Sequence, residues 1–263
     1  MEYQRSEIPE KLPVTAVIIC HNAARTIGRC LETLAKVAEE VIVLDSDSDD
    51  GTKEICLEYG VKLVNQPFLG YSATKNLGNE MARHDWILSI DADEVLSDEL
   101  IASLRNVSLS PGTVYALDRL TEFCGRWIYH CGWYPEWKVR LFNRKEVFWK
   151  DELVHETLHI PEHTKVVRLR GKLLHYSFAD EQDHLKRMEK YARLGAEELF
   201  RKGRRTPLWK KYLSPPARFI RTYFLKLGLL DGKAGWIISK RNAWMVWKRY
   251  QLLDEMWEGS TGQ

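Results

Sequence analysis

Two short acidic runs hold most of the chemistry this sequence could do. Asp91-Ala92-Asp93-Glu94 follows the apolar run Trp86-Ile87-Leu88-Ser89-Ile90, and Asp45-Ser46-Asp47-Ser48-Asp49-Asp50-Gly51-Thr52 follows Val41-Ile42-Val43-Leu44. On an extended chain the one-residue gap sends Asp91 and Asp93 to the same side. Two converging carboxylates repel unless a cation joins them. Hard oxygen ligands with open positions suit Mg²⁺ or Mn²⁺ shared with a diphosphate, whose departing charge the metal would offset. A bare Asp-x-Asp is most often surface acid; its place after a buried strand, with a second acidic loop beyond a neighbouring strand, gives it weight. In that second loop a carboxylate can accept hydrogen bonds from a ribose hydroxyl or a base N–H. Asp50, before Gly51-Thr52, also reads as the cap of a following helix.

The elements that must position these residues are legible by period. Residues 14–20, 41–44, 61–64 and 86–90 are short apolar or β-branched runs, and residues 26–37, 52–59 and 72–82 carry apolar side chains at helical spacing. Continuous apolar strands alternating with amphipathic helices predict a parallel sheet covered on both faces, with ligands bound beyond the carboxyl ends of the strands. The chemistry should therefore follow Cys20, Leu44 and Ile90. From about 112 to 174 the alternation breaks into aromatic-rich strands, at 113–117, 137–142 and 166–169, which read as an antiparallel extension. After Asp180 the chain reads as helix through Lys202, with Pro207, Pro215 and Pro216 as breaks and two more helices at about 217–230 and 234–257.

The chain has 263 residues, 44% of them apolar, enough for one sizeable α/β domain with an appendage. The start, Met1-Glu2-Tyr3-Gln4-Arg5-Ser6-Glu7, is charged where a secretory signal would be apolar, and no run of 18 apolar residues follows. The expectation is a cytoplasmic protein, in which Cys20, Cys30, Cys56, Cys124 and Cys131 are reduced and structural. The net charge of +2 is unevenly spread: residues 1–180 hold 21 Lys and Arg against 28 Asp and Glu, and residues 181–263 hold 18 against 9. A tail of +9 on a body of −7 suggests an anionic partner for the C-terminal part.

The sequence resembles the inverting glycosyltransferase family 2, with its GT-A fold. The resemblance rests on Val17-Ile18-Ile19-Cys20-His21-Asn22, the Asp45–Thr52 run, Tyr71-Ser72-Ala73-Thr74-Lys75-Asn76 and Asp91-Ala92-Asp93-Glu94, in the family's order and spacing. Gly132-Trp133-Tyr134-Pro135-Glu136-Trp137-Lys138-Val139-Arg140-Leu141-Phe142, Val154-His155-Glu156 and His175-Tyr176-Ser177-Phe178, with the basic aromatic tail, look like the WaaE (KdtX) subgroup of lipopolysaccharide core glucosyltransferases. The fold so implied is α/β: a GT-A nucleotide-diphospho-sugar transferase fold with an antiparallel extension and a C-terminal helical appendage. Residues 1–110 form the nucleotide-sugar half, 111–180 the acceptor half and 181–263 a Trp-rich, membrane-associating appendage. At matching positions the resemblance puts His21 and Asn22 near the base and Asp45 on the base or ribose. It puts Lys75 near the diphosphate, and Asp93 on the metal with Asp91 assisting on metal and donor. Asp47 joins the donor residues, although relatives often carry Gly there. Such a Gly marks an unusual backbone conformation, which Asp tolerates better than most residues.

Inverting transfer needs a base for the acceptor hydroxyl, and Glu156 is the candidate. On a strand its neighbour His155 points the other way, toward a separate role at the acceptor. Glu156 could equally pair with a nearby Arg or Lys. His175 could complete the metal site, although a lone His is more often structural. Trp133, Tyr134 and Arg140 suit an acceptor cleft, where aromatic faces stack on sugars and Arg grips an anion; core packing is the ordinary alternative for each ring. The tail interleaves Trp209, Trp236, Trp244, Trp247 and Trp257 with Lys and Arg, which suits a membrane interface better than nucleic acid. The expected partners are thus a nucleotide-sugar donor, a lipid-linked glycan acceptor and the inner leaflet, where the protein lies peripherally. The specific expectation is glucose from UDP-glucose passed to an inner-core heptose of lipopolysaccharide. Rivals are a transferase acting on a polyprenyl-phosphate or other lipid-linked glycan, and a nucleotide-sugar-binding module that has lost catalysis. A Rossmann dehydrogenase is opposed by the absence of Gly-x-Gly-x-x-Gly after the first strand.

Overall fold

Consecutive residues of the central strands are buried in two different cores. Ile18, Val43 and Leu88 join one apolar cluster, whereas Val17, Ile42, Leu44 and Ile87 join another. Because side chains alternate along a strand, this requires a sheet covered on both faces. The computed structural model describes residues 11–150 and 157–261. In chain order it contains β1 (Leu12–Cys20), α1 (Ile27–Leu34), β2 (Ala38–Asp45), α2 (Thr52–Glu58), β3 (Lys62–Asn65), α3 (Tyr71–Glu80) and β4 (Trp86–Ser89). These match the expected alternation to within a few residues. Then come β5 (Glu94–Leu96), α4 (Asp98–Arg105), β6 (Thr113–Phe123), β7 (Arg126–Trp127), β8 (Glu136–Asn143), β9 (Phe148–Lys150), β10 (Thr157–His159) and β11 (Lys165–His175). The chain ends in α5 (Glu181–Arg201), α6 (Leu208–Ile220) and α7 (Gly232–Thr261).

The main sheet runs β3-β2-β1-β4-β8-β6-β11-β5, with β7 beside β6, and β9 pairs with β10 separately. Its first four strands are parallel, and β8 enters antiparallel to β4. The register Cys20↔Asp45↔Asn65 brings the carboxyl ends of β1, β2 and β3 level. Gly78 lets α3 lie close on this sheet, since a Cβ there would stand 2.5 Å from Val17 and 2.7 Å from Leu44 side-chain carbons.

The described residues gather into two compact units, one within 1–119 and 136–175, the other within 120–135 and 176–263. In the second, Phe123, Ile128, Cys131, Ala234 and Ile238 form one apolar cluster, and Ala192, Ala196, Leu252 and Leu253 of α5 and α7 form another. Pro215 and Pro216 do not break the chain as expected: both lie inside α6, which continues into a π-helical turn over Arg221–Leu225. Proline's fixed φ is already helical, so the cost falls on two missing N–H groups and local crowding. Among the described residues no helix is long and apolar enough to cross a membrane.

Candidate active site

The loop after β2 is tied to the loop after β1 by side chains of both. Asn22, in the left-handed region at φ 52°, accepts from the Asp49 N–H (3.0 Å) and donates its own N–H to Ser48 Oγ (2.8 Å). The Ala23 and Ala24 N–H groups donate to Thr52 Oγ1 and Asp50 Oδ2. Asp50 also accepts from the Thr52 N–H at the first turn of α2, as its position predicts. His21 Nδ1 lies 2.7 Å from the Ser46 carbonyl, and since a carbonyl only accepts, that nitrogen carries the proton. Asp45 has no exposed surface; its carboxylate takes the Ser48 N–H at 3.0 Å and lies 3.5 Å from Lys53 Nζ. It braces the loop from within, and the exposed polar groups there include His21, Asn22, Asp47, Asp49 and Asp50. Asp47 has φ 58° and accepts from Asn65 Nδ2 at 3.1 Å, so the position does carry the backbone conformation that a Gly would mark.

The Asp91–Glu94 segment is a turn, not an extended chain: the Glu94 N–H donates to the Asp91 carbonyl at 2.9 Å. The two aspartates consequently meet different partners. Asp91 receives Lys75 Nζ at 3.1 Å and Arg140 Nη2 at 2.5 Å. Burial alone would raise its pKa, but the Arg140 and Lys75 charges outweigh it and hold the carboxyl far below the usual range. Asp93 lies 3.4 Å from His175 Nε2; burial opposes its ionisation, and the hydrogen bond and charge of His175 bring its pKa down. Strand pairing supplies that meeting, because His175 is the partner of Glu94 across β11 and β5. Among the described residues no three His, Cys, Asp or Glu side chains converge as a metal-binding group.

Arg140, expected at an acceptor anion, is instead buried in this cluster. Its Nη2 also reaches Glu94 Oε1 at 2.5 Å, and burial, which would favour loss of its proton, is outweighed by Asp91 and Glu94. Glu94, fully buried, accepts from the Asp91 N–H and meets Arg119 at 3.4 Å, while Arg119 grips Glu136 through two nitrogens at 2.8 and 2.9 Å. The sequence quotes Glu94 in its motif without a role, and Arg119 passes unnoticed. Lys75 also sits over the ring of Trp149, 4.6 Å from its centroid, and the neighbouring Asn76 pins β9 by exchanging two hydrogen bonds with the Trp149 backbone. Both partners follow from α3 lying against β9.

Trp133 and Tyr134 belong to the second unit. Trp133 packs against Phe123, Phe178 and His184, and Tyr134 lies edge-on to Tyr129. Trp133 is therefore a core residue at least in part, the ordinary alternative for such a ring. Glu156 and His155 lie outside the described residues.

Residues 15–159 match the family described as Glycosyl transferase family 2. The chain is 28% identical over 92% of its length to a lipopolysaccharide core biosynthesis glycosyltransferase, LpsC, of Rhizobium meliloti (strain 1021), covering 94% of that protein. It is 24% identical over 92% of its length to an uncharacterized glycosyltransferase of Rickettsia typhi (strain ATCC VR-144 / Wilmington), covering 87% of it. Among solved structures it is similar to the mannosyltransferase PcManGT of Pyrobaculum calidifontis, in complex with GDP-Man and Mn²⁺. That match has a TM-score of 0.51 and 13% identity, over 95% of this chain and 87% of that one. The antiparallel entry of β8 beside a four-stranded parallel half, with acidic turns after β2 and β4, is the GT-A arrangement, and the chain belongs to glycosyl transferase family 2.

Proposed function

We propose that this glycosyltransferase moves a hexose, glucose from UDP-glucose, onto an inner-core heptose of lipopolysaccharide with inversion at the anomeric carbon. The observation that carries the reading is the Asp91-Ala92-Asp93 turn at the end of β4, with Lys75 and His175 brought to it by α3 and β11. The similarity to LpsC along nearly the whole chain supports the acceptor class. The donor lies over the β1 and β2 loops, its base near His21 and Asn22, with Asp45 toward the base or ribose and Asp47 beside it. Lys75 leaves Asp91 to meet the diphosphate.

Asp93 and His175 suit a divalent cation, Mg²⁺ or Mn²⁺. One carboxylate and one imidazole stand 3.4 Å apart, each with part of its surface open to solvent, and both are donor types that Mn²⁺ accepts. Asp91, already satisfied by two cations, assists by its field. Such a metal supplies Lewis-acid stabilisation of the departing diphosphate. Glu156 takes the proton from the acceptor hydroxyl as that oxygen bonds the anomeric carbon and the bond to the diphosphate breaks.

The test incubates purified protein with a panel of nucleotide sugars, Mg²⁺ or Mn²⁺, and a heptose-bearing core acceptor, and measures product and nucleoside diphosphate. UDP-glucose should be consumed, Asp93→Ala should abolish both turnover and metal-dependent donor binding, and Glu156→Gln should keep donor affinity while losing roughly 10²-fold in rate. Full activity of Asp93→Ala, or activity in excess EDTA, overturns the metal assignment. A loss of donor binding alone in Glu156→Gln overturns the base.

A further inference from the structure

Helix α6 has no buried residue, and it turns outward the side chains a helix ordinarily hides. Leu208, Trp209, Tyr212, Leu213 and Ile220 are between 51% and 71% exposed, and Phe224 in the following turn is 51% exposed. These positions recur at i, i+1, i+4, i+5, i+12 and i+16, and Pro216 and Ala217, also exposed, fill i+8 and i+9. At 100° per residue the whole set falls on one side of the helix. The flank next to Leu208 and Tyr212 is tied down: Lys211 pairs with Asp254 of α7 at 2.5 Å, and Phe219 and Tyr223 meet Trp236 edge-on. The rest of the apolar side keeps half or more of its surface open, and Leu225, Leu229 and Leu230 extend it, 74%, 41% and 55% exposed. A contiguous apolar face of this kind marks an interaction surface.

Charge identifies the occupant. Residues 203–230 hold seven Lys or Arg and no Asp or Glu; Lys210 and Arg221 are exposed at the border of the face, and Lys226 is exposed in the turn that follows. An apolar stripe bordered by cations, with Trp and Tyr among its rings, matches the boundary between acyl chains and anionic headgroups. A second copy of the chain would set the same cations against one another. Nucleic acid would satisfy the cations and leave the leucines in water.

We propose that the face formed by Leu208, Trp209, Tyr212, Leu213, Ile220 and Phe224 inserts into the headgroup layer of an anionic phospholipid leaflet, with Lys210, Arg221 and Lys226 on lipid phosphates. The proposal deepens the reading of a lipid-linked acceptor by naming the element that reaches the membrane.

The experiment is flotation of the full chain with phosphatidylglycerol–phosphatidylethanolamine vesicles at low salt, beside pure phosphatidylcholine vesicles. The intact protein floats with the anionic vesicles only. Trp209→Ser/Leu213→Ser/Phe224→Ser, whose positions are exposed, keeps its melting temperature and its turnover on a water-soluble acceptor fragment while losing about tenfold or more in vesicle binding. If the triple variant floats as well as the intact protein, the face is wrongly assigned even though the membrane reading survives. The proposal is overturned if the intact protein ignores anionic vesicles, whether it instead forms a dimer that the triple variant loses or binds a short DNA duplex. Vesicle binding that behaves as expected in a protein with no glycosyl transfer would leave this surface standing and sink the proposed reaction.

Discussion

Asp91 and Asp93 stand two residues apart and are answered by different charges. Lys75 and Arg140 hold Asp91 from two sides, whereas Asp93 lies against the imidazole of His175, and both carboxylates keep a similar part of their surface open. The pairing fits a division of labour in which one carboxylate sets the local field and its neighbour meets the ligand. The motif was legible because a carboxylate pair beyond a buried strand has few bland explanations; its internal geometry was not, since a turn cannot be told from an extended step by spacing. Arg140 was misread for a similar reason. Beside Trp133, Tyr134 and Trp137 it looks like part of an aromatic cleft, and only the pairing of β8 with β4 and β6 turns it toward Asp91 and Glu94. Removing it would leave the fully buried Glu94 with Arg119 alone, beside a half-paired Asp91. Breaking a buried ion pair from one side costs about 3–5 kcal/mol, so Arg140→Met should lower the melting temperature by roughly 10 °C. Calorimetry of Arg140→Met beside Arg140→Met/Glu94→Gln checks the cause: the second change should recover part of the loss, and no recovery would show that packing, not charge, is at stake.

Among the elements, α4 and β11 bring His175 to the acidic turn, and their contact leaves no space for a side chain. Gly171 on β11 has φ 94°, and a Cβ there would lie 2.2 Å from the Leu100 N and 2.6 Å from its Cα. Backbone cannot yield as a flexible side chain can. Gly171→Ala combines that overlap with a left-handed conformation, so it should cost at least about 2–3 kcal/mol. Because the displaced strand carries His175, the same substitution should weaken metal-dependent donor binding more than binding of donor alone. Isothermal titration with and without Mn²⁺ separates the two effects, and an unchanged ratio would show that β11 does not position the ligand set. The first four strands and three helices were legible because a sheet buried on both faces demands continuous apolar runs. The element α4 passed unread although its signal was present: Ser97 caps it, accepting the Leu100 N–H at 3.3 Å, with Asp98 and Glu99 in its first turn. It follows the three-residue β5 rather than a continuous apolar run, so no strand–helix alternation announces it. At Pro215-Pro216 the error ran the other way, because a Pro pair reads as a break in isolation and is tolerated where neighbouring residues are already helical.

For the molecule as a whole, the two units should respond to acid differently. The carboxylates at the candidate active site have lowered pKa values, so the first unit keeps those charges well into the acid range. In the second unit His184 is fully buried, edge-on to Phe123 and Phe178, with Nδ1 3.1 Å from Arg241 Nη1. Burial, then the charge of Arg241, brings its pKa from 6.5 down to about 4. The folded unit thus holds a neutral imidazole, and the unfolded chain binds an extra proton once the pH falls below 6.5. Stability from this group is fully present above that pH, declines between about 6.5 and 4, and is gone below; the whole effect amounts to roughly 3 kcal/mol. Seven of the ten tryptophans, including Trp133 and Trp257, lie in residues 120–135 and 176–263, so tryptophan emission reports mainly on this unit. On acidification from pH 7 to pH 4 at fixed temperature the emission should shift before donor binding by the first unit is lost. His184→Phe, which keeps a ring among Phe123 and Phe178 and removes the titrating nitrogen, should flatten the pH dependence in that interval. If wild type and variant unfold along the same acid profile, His184 does not set the acid limit, and the like charges crowded into residues 203–230 become the next cause to test.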